Sequence, residues 1–372
     1  MKKLLSLLSG LLLSLSMQAQ TANYNLLIGT YTNTGKSEGI YTYQFNSTTG
    51  VAELKSVTKD IINPSYLAVS PDNKDVYAVS ESGKSSADSA FGYDAATGKL
   101  KLLNKQSSEG ADPCYVTTDK HNVIIGNYSG GSLAVYGRKK DGSLTEAKQV
   151  IQHTGKSIDP EKRQESAHVH QVILSPDKKY LISNDLGEDH IYIYNYFPLA
   201  KTQVLTIKNV IKVPAGSGPR HLTFSPNGKF AYLAHEFTGK ITAYTYADGT
   251  LIPIQEVGTV ASDFKGRIDA ADIHVSQDGK FLYQSNRGDV NEISVFSILP
   301  TGRLAVASKT STLGAGPRNF AIDPSGKFLL VANQRTDDVI IFNRNDVTGA
   351  LTDSGNRIKV GSPVCLVFTS IK

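Results

Sequence analysis

The sequence predicts an all-β fold, a seven-bladed β-propeller whose blades are four-stranded antiparallel sheets. Three observations predict it. One phrase recurs about every 50 residues, a period typical of solenoids and propellers. Each copy is followed by short alternating strands, and no window after the N-terminus shows helical periodicity. The copies number seven, and they begin near residues 64, 113, 169, 219, 270, 317 and 363.

The recurring phrase combines a start that is usually proline-centred, a short apolar strand and a tight turn. The copy from Asn63 to Asp72 reads NPSYLAVSPD, and the copy from Gly218 to Asn227 reads GPRHLTFSPN. Ser, Pro, Asp and Asn at the end of the phrase favour a turn, because their side chains suit bent backbone. We therefore expect the Asp residues of these turns to be structural.

Each copy continues into further strands. An apolar run such as 76–79 follows the turn, and an alternating strand such as 191–194 comes next. The hairpin turns that follow are Asp-Gly or Thr-Gly pairs at 141–142, 248–249, 301–302 and 348–349. Glycine suits the positive φ that tight hairpins require. Four short strands repeated radially make a propeller blade.

The two ends of the chain predict how the ring closes. The last copy ends near residue 368, one strand into its blade, and the missing strands are present at 24–30 and 39–45. Joining these segments in one blade would cover strand edges that otherwise promote aggregation. We therefore expect one blade built from both termini, and a single propeller domain over residues 20–372.

Residues 1–19 have the form of a secretory signal peptide. Lys2 and Lys3 precede an apolar stretch from Leu4 to Leu15, and Ala19 offers a cleavage position. The apolar stretch is too short for a membrane span. We expect an exported protein, periplasmic or secreted, with no membrane span. If residues 1–19 are not a signal peptide, the expected location is the cytoplasm.

Charge and cysteine content exclude several classes of function. The formal net charge is +5, it falls to +3 when Lys2 and Lys3 leave with the signal peptide, and no long run of Lys or Arg is present. We therefore expect no nucleic-acid partner. Cys114 and Cys365 fall on equivalent strands of non-adjacent blades, so we expect two buried free thiols. Two cysteines without metal-binding spacing argue against a structural zinc site.

Residues that break the repeat are candidates for a functional site, because the blade itself does not need them. At the starts of the copies these residues are His168, His170, Arg220 and Arg318. At or near the ends of the strands that follow the turns, they are Glu81, Asn127, Asp185, Glu236, Arg287 and Gln334. We expect charged residues at this level of the ring to meet at the mouth of the central channel.

Structural interpretations of some of these residues stay open. Arg220, Arg318 and Glu236 are also candidates for ion pairs between blades. His168 and His170 are two positions apart, and we expect at most one of them to contact a ligand directly, with the other orienting it or packing. His274 lies in an apolar strand and is expected to be a hydrogen-bonded structural histidine.

These motifs resemble those of the seven-bladed propeller lactonase family, which includes bacterial propeller-type 6-phosphogluconolactonases and fungal carboxymuconate lactonizing enzymes. The resemblance extends from about Leu26 to Phe368 and includes the phrases at 29–32 and 127–132. It implies a catalytic set drawn from His168, His170, Arg220, Glu236 and Arg287. From the family phrases and the repeat-breaking positions we also expect substrate-binding residues at Tyr31, Asn127, Asp185, His221, Arg318 and Gln334.

The resemblance implies hydrolysis of a small-molecule lactone, with 6-phosphogluconolactone, a phosphorylated sugar lactone, as the expected substrate. A histidine or Glu236 would activate water. Arg220 or Arg287 would stabilise the oxyanion, and the remaining arginines would hold a phosphate or carboxylate. This scheme needs no cofactor and no metal. The muconate enzymes close a lactone with similar residues, so the direction of the chemistry stays open.

The predicted export leaves two alternatives. Because 6-phosphogluconolactone is cytosolic, an exported enzyme would be a lactonase or cycloisomerase acting on a different lactone. Alternatively, the exported propeller binds a carbohydrate or protein partner without catalysis, since a fold does not fix a function. The predicted convergence of His, Arg and Glu in the channel favours an enzyme over a propeller that only binds a partner. The absence of Trp counts against an aromatic-rich binding surface.

Overall fold

The computed structural model describes residues 23–158 and 163–371, so the predicted signal peptide lies outside the described residues. Within these ranges the chain forms seven sheets of four antiparallel strands and one 3₁₀ turn at Gly83–Ser85. The first strands of successive sheets contact one another around a closed ring. The predicted all-β, seven-bladed propeller is therefore confirmed. No helix in the described ranges has the length and apolar character needed to cross a membrane.

The strands, numbered in chain order, fall into four positions within a blade. The first strands, which border the central channel, are β4 (Leu67–Val69), β8 (Pro113–Thr118), β12 (Val169–Leu174), β16 (Pro219–Phe224), β20 (Ala270–Val275), β24 (Pro317–Ile322) and β28 (Pro363–Thr369). The second strands are β5 (Asp75–Ser80), β9 (Asn122–Asn127), β13 (Tyr180–Asp185), β17 (Phe230–His235), β21 (Phe281–Asn286), β25 (Phe328–Asn333) and β1 (Asn23–Thr30).

The third and fourth strands complete each blade toward the outside. The third strands are β6 (Ala87–Asp94), β10 (Ser132–Arg138), β14 (His190–Tyr196), β18 (Lys240–Ala247), β22 (Glu292–Ile298), β26 (Asp338–Arg344) and β2 (Ile40–Asn46). The fourth strands are β7 (Lys99–Ser107), β11 (Leu144–Gln152), β15 (Leu205–Lys212), β19 (Thr250–Gly258), β23 (Leu304–Ser311), β27 (Leu351–Lys359) and β3 (Ala52–Thr58).

The core lies between neighbouring blades. The second strand β9 reads NVIIGN and is buried at every position, whereas the outer strand β23 reads LAVASKTS and is mostly exposed. Apolar clusters join residues of two adjacent blades, because both faces of an inner strand are covered by neighbouring sheets. Burying one Val, Leu or Ile side chain stabilises the fold by about 1.5–3 kcal/mol. The apolar runs in the repeats therefore hold the ring together.

Both termini contribute to the blade that closes the ring. β28 pairs antiparallel with β1, so that Leu26 lies opposite Phe368 and Ile28 opposite Leu366. The sheet order in this blade is β28, β1, β2 and β3. The predicted closure by N- and C-terminal strands is confirmed. The pairing makes β1 an interior strand of the sheet and places β28 at the channel edge, like the first strands of the other blades.

Tyrosine hydroxyls tie three blades to the hairpin turn of the next blade. The hydroxyl donors and carbonyl acceptors are Tyr77 and Gly142, Tyr232 and Gly302, and Tyr283 and Gly349. Gly302 has a φ of 80°, and a Cβ there would lie 2.2 Å from the Phe230 ring. Glycine is needed at this turn for both its backbone conformation and its lack of a side chain.

The pairing of the first two strands decides where a site can form. Because these strands are antiparallel, the start of the first lies beside the end of the second, as where Pro219 pairs with His235 and Ala270 with Asn286. Side chains at these positions, or just beyond them, point toward the same mouth of the channel. The repeat thus brings residues that are far apart in sequence to one level of the ring.

Candidate active site

A cavity of about 350 Å³ lies at this mouth of the channel. Most of its lining residues stand at the start of a first strand or just after a second strand. In the described part of the chain, the lining residues are Glu81, Asp112, Cys114, Tyr128, Ser129, Arg163, His170, Glu236, Arg267, Asp269, Arg287 and Arg318. Its volume suits a small ligand, and its walls carry both arginines and carboxylates.

Glu236 is surrounded by cations. Its carboxylate lies 2.7 Å from Nη2 of Arg163, 2.9 Å from Nε of Arg220 and 3.2 Å from Nη2 of Arg287. Nε2 of His170 lies 3.8 Å away. The contact with Arg220 is an ion pair without the directionality of a hydrogen bond. The structure therefore brings four of the five predicted catalytic residues together around one buried carboxylate.

The charge state of this cluster follows from its neighbours. Burial alone would raise the pKa of Glu236, but Arg287, Arg163 and Arg220 outweigh burial and hold that pKa well below its usual range. Burial lowers the pKa of Arg287 to about 10, against the opposing effect of Glu236. Glu236 and Arg287 are both charged at neutral pH. A carboxylate held so firmly in its ionised form is a weak proton acceptor.

Asp269 adds a second carboxylate on the other side of Arg287. Its Oδ1 accepts a hydrogen bond of 3.0 Å from Nη2 of Arg287, and its backbone carbonyl accepts one of 3.2 Å from Nε. Arg267 lies 3.4 Å from Asp269. The side chains of Arg163 and Arg267 are 27% and 52% exposed, so these two cations form the solvent-facing rim of the cavity.

His170 offers a neutral imidazole to the cavity. Burial and Arg220 lower its pKa well below the usual value, against the effect of Glu236. Its Nδ1 lies 3.7 Å from Sγ of Cys114. Burial raises the pKa of the Cys114 thiol, which therefore stays protonated. Both cysteines are buried and free, as the sequence predicts.

Glu81 occupies the other half of the cavity and has hydroxyl partners instead of cations. The Tyr31 hydroxyl lies 3.0 Å from Oε1 and 2.9 Å from Oε2 of Glu81, and the Ser65 hydroxyl donates to Oε1. Within residues 23–158 and 163–371, no Lys or Arg forms an ion pair with Glu81. Burial raises its pKa, although Arg318, Ser65 and Tyr31 act in the opposite direction.

Arg318 differs from the other arginines of the cavity. Arg163, Arg267 and Arg287 each have a carboxylate partner. The guanidinium of Arg318 lies over the Tyr31 ring, 5.5 Å from its centre, and makes no hydrogen bond or ion pair with the described residues. A guanidinium whose donors are free in a cavity is suited to bind an anionic group.

Three of the predicted site residues lie behind the cavity wall. Arg220 is fully buried and donates a hydrogen bond of 2.7 Å to a backbone carbonyl, so it holds Glu236 from behind. Nδ1 of His221 lies 2.8 Å from Asp272, and burial and Arg220 lower the pKa of His221 to about 4. The ring of His168 stacks on Tyr128 at 4.5 Å between ring centres. Only His170 of the predicted histidines lines the cavity.

Asn127, Asp185 and Gln334 do not line the cavity either, in contrast to the expectation that they bind substrate. The amide of Asn127 donates to the Ser108 carbonyl and to the Ser132 hydroxyl. Asp185 accepts backbone hydrogen bonds from the turn that follows β13, and its other oxygen contacts His153. These two buried side chains are occupied in shaping loops. Gln334 is half-buried. Tyr31 reaches the cavity through Glu81.

Several lining residues are not identifiable from the repeat as site residues. Glu81 appears among the predicted strand ends, but its hydroxyl partners come from elsewhere in the chain. Asp112 and Asp269 stand directly before first strands, so the start of the repeat contains a usable signal. Arg163 lies between β11 and β12, outside the repeat, where no periodic pattern could identify it.

Other concavities are larger but chemically less focused. A surface groove of about 810 Å³ includes Pro198 and Leu199, and another of about 650 Å³ lies along Lys55 and Lys99. The larger groove includes His121, Arg138 and Glu146, but neither groove contains a buried carboxylate surrounded by arginines, as the channel cavity does. In the described part of the chain, no group of three or more His, Cys, Asp or Glu side chains is arranged to hold a metal ion.

Comparison with known proteins covers nearly the whole described chain. The family described as "Lactonase, 7-bladed beta-propeller" matches residues 25–368. A protein of Bacillus subtilis (strain 168) named 6-phosphogluconolactonase is 34% identical over 92% of this chain and 97% of its own length. A Formosa agariphila protein of the same name is 37% identical over 92% of this chain and 99% of its own length.

A solved structure is also similar to this chain over nearly its whole length. The periplasmic gluconolactonase of Pseudomonas aeruginosa superposes with a TM-score of 0.90 at 35% identity, over 94% of this chain and all of that one. The similarity includes the full ring of blades, so it extends over the elements that build the cavity.

Proposed function

This chain belongs to the seven-bladed β-propeller lactonase family, and we propose that its substrate is 6-phosphogluconolactone, which it hydrolyses to 6-phosphogluconate. As a member of this family it is a lactone hydrolase, a kind of carboxylic ester hydrolase. The observation that supports the phosphorylated substrate is the set of four arginines that line a cavity of about 350 Å³. The relatives named 6-phosphogluconolactonase lend the same support.

Lactone hydrolysis makes three demands on a site. A base must take a proton from the attacking water, donors must stabilise the tetrahedral oxyanion, and the leaving ring oxygen must regain a proton. Arg287, which is buried, and Arg318, which is half-buried, line the cavity and can serve as oxyanion donors. Glu236 keeps Arg287 in place through their 3.2 Å ion pair. His170, uncharged, is available to hydrogen-bond the sugar hydroxyls.

The substrate phosphate is best accommodated at the rim of the cavity. Arg163 and Arg267 carry the more exposed guanidinium groups, and arginine binds phosphate in a bidentate manner. A dianion at the rim keeps part of its hydration, so its desolvation costs less than it would at the bottom of the cavity. The uncharged lactone ring then occupies the deeper part, beside Arg287 and Arg318.

We propose further that the protein is exported, on the basis of the signal-peptide pattern in residues 1–19. Export favours a second candidate substrate, an unphosphorylated gluconolactone, because 6-phosphogluconolactone is cytosolic. The Pseudomonas aeruginosa relative, a periplasmic gluconolactonase, favours the same candidate. There are thus two candidate functions. One is hydrolysis of the phosphorylated lactone in the pentose phosphate pathway, and the other is hydrolysis of an unphosphorylated lactone outside the cytoplasm.

The experiment compares hydrolysis of both lactones by the wild type, Arg267→Ala and Arg303→Ala, after subtraction of spontaneous hydrolysis. Arg303 is exposed and directly precedes β23, the outer strand of its blade, so its loss is the matched control. We expect Arg267→Ala to raise KM for the phosphorylated lactone about tenfold and to leave the plain lactone unaffected. Hydrolysis of gluconolactone alone would establish the second candidate. Hydrolysis of neither would contradict both.

A further inference from the structure

Within the lactonase function, on which this inference rests, we propose that Glu81 is the general base of hydrolysis and that Arg318 stabilises the oxyanion beside it. The structure suggests this assignment through a difference between two equivalent carboxylates. Glu81 and Glu236 each follow directly after the second strand of their blade, β5 and β17. Glu236 is buried and Glu81 is half-buried, and both line the same cavity.

Glu236 is unsuited to the task of a base. Three guanidinium groups lie within 3.2 Å of its carboxylate. Protonating it would leave these cations without their common counter-ion in a buried site, which is energetically costly. Its contribution is to fix the position of Arg287 and to keep the cluster neutral enough to remain buried.

Glu81 has the geometry that a base requires. The Tyr31 and Ser65 hydroxyls fix the direction of its carboxylate. Oε1 accepts from both hydroxyls, whereas among the described residues Oε2 accepts only from Tyr31. An ionised carboxylate oxygen can accept more than one hydrogen bond. Oε2 therefore retains a position from which a water molecule in the cavity can donate its proton.

The environment of Glu81 also favours proton uptake. Burial raises its pKa, toward the neutral range in which a general base works best. Environments that push the pKa values of two carboxylates in opposite directions identify the proton-transfer group in other hydrolases. Here the pKa of Glu236 moves down, and the pKa values of Glu81 and Asp269 move up. Asp269 differs from Glu81 because it is ion-paired with Arg287, whereas Glu81 forms no such pair in the described residues.

Arg318 completes the reacting centre. It is the lining arginine without a carboxylate partner among the described residues, and it shares Tyr31 with Glu81. Because no ion pair has to break, its donors are available when negative charge develops on the substrate. The remaining carboxylate near this half of the cavity, Asp112, accepts a hydrogen bond from the backbone N–H of Gly83.

The proton balance closes without a co-reactant. Water attacks the lactone carbonyl carbon and passes one proton to Oε2 of Glu81, while the negative charge on the carbonyl oxygen faces Arg318. The tetrahedral intermediate then collapses, the bond between the carbonyl carbon and the ring oxygen breaks, and Glu81 returns its proton to that oxygen. The product is a hydroxy acid whose carboxyl group ionises in solvent.

The test is hydrolysis of whichever lactone the wild type accepts, by Glu81→Gln and by the exposed control Glu53→Gln. Glutamine keeps the size of the side chain and an oxygen that accepts from Tyr31 and Ser65, but it cannot take the proton. We expect kcat to fall about 10²–10⁴-fold in Glu81→Gln, with little change in KM. Glu53→Gln should retain wild-type kcat. Thermal unfolding of each variant shows that the protein is folded.

Chemical rescue separates a catalytic from a structural contribution. In Glu81→Ala, added formate should restore part of kcat in a concentration-dependent manner, since the small carboxylate can occupy the vacated space. A folded Glu81→Gln variant with kcat within about threefold of wild type would overturn the assignment. Loss of activity without formate rescue would also overturn it. A wild type that hydrolyses no lactone would contradict the proposed function as well.

Discussion

Two halves of one cavity contain equivalent glutamates in opposite environments. Glu236 and Glu81 each end a second strand of the propeller and face the same mouth of the channel. Glu236 contacts three guanidinium groups, whereas Glu81 contacts two hydroxyl groups. The repeat determines the position of each glutamate in the ring. Residues from other blades and loops determine its hydrogen-bond partners and its pKa. On this basis Glu236 organises the site and Glu81 transfers the proton.

The largest effect is expected from removing the charge of Glu236. In Glu236→Gln, the buried Arg220 loses its counter-ion and Arg287 keeps Asp269 alone, so the free energy of unfolding should fall by about 3–5 kcal/mol. Urea denaturation followed by circular dichroism measures this change. The matched variant Glu81→Gln should lose less than about 1 kcal/mol, because Arg318 acts on Glu81 without forming an ion pair and glutamine can still accept from Tyr31 and Ser65. Equal losses in the two variants would remove the distinction between the halves.

Arg318 should show the converse pattern, a loss of activity with little loss of stability. Arg318→Gln is expected to lower kcat/KM for lactone hydrolysis about 10²–10³-fold, since it removes an oxyanion donor. Its Tm should stay near that of the wild type, because Arg318 has no ion pair in the described structure to lose. The exposed Arg335→Gln is the control for charge. Unchanged kcat/KM in Arg318→Gln would exclude Arg318 from the reaction.

The two glutamates should also differ in how they link stability to pH. The pKa of Glu236 lies well below its ordinary value of 4.5 in the folded protein. Its ionisation therefore stabilises the fold above 4.5, and this contribution is lost as pH falls toward the folded pKa, by up to about 1.4 kcal/mol per pH unit. Glu81 has the opposite sign, because its folded pKa is raised. Its contribution to stability decreases as pH rises through its folded pKa.

Urea titrations between pH 7 and pH 3.5 test this sign. The difference in unfolding free energy between wild type and Glu236→Gln should shrink below pH 4.5. A difference that stays constant over the whole range would mean that the arginines do not lower the pKa of Glu236.

The smallest effect concerns the hydroxyl that orients Glu81. In Tyr31→Phe, Glu81 loses a donor that favours its ionised form, so its pKa should rise and the acidic limb of the pH–rate profile should move to higher pH. We expect kcat to fall about three- to tenfold, the size expected for the loss of one ordinary intramolecular hydrogen bond, because the Ser65 hydroxyl still orients Glu81. Tyr232→Phe removes a hydroxyl that bonds to Gly302 away from the cavity, and it should leave the profile in place.

The repeat made the fold and the level of the site predictable. The period, the hairpin glycines and the two incomplete ends predict seven blades closed by both termini. Glu236, Arg287 and Arg318 were identifiable because they depart from the repeat at equivalent positions. Equivalent positions of the repeat lie at the same level of the ring, so residues that depart from the repeat at these positions meet in one cavity.

The repeat did not predict which side chains pair with the two glutamates of the cavity. Arg163, the partner of Glu236 at 2.7 Å, lies in a loop that no repeat describes. Tyr31 reaches Glu81 from 50 residues away in sequence. Asn127 and Asp185 look like polar strand ends of the same kind, yet their side chains are occupied by loop hydrogen bonds. These distinctions depend on side-chain contacts between blades, which periodicity does not contain.

The pH dependence of kcat/KM for lactone hydrolysis, measured for wild type and Glu81→Gln between pH 4 and pH 8, tests the central claim most directly. The wild type should lose activity on the acidic side as Glu81 becomes protonated. In Glu81→Gln this limb should be absent, and the remaining rate should rise only with hydroxide concentration. An acidic limb that persists unchanged in Glu81→Gln would show that another group takes the proton.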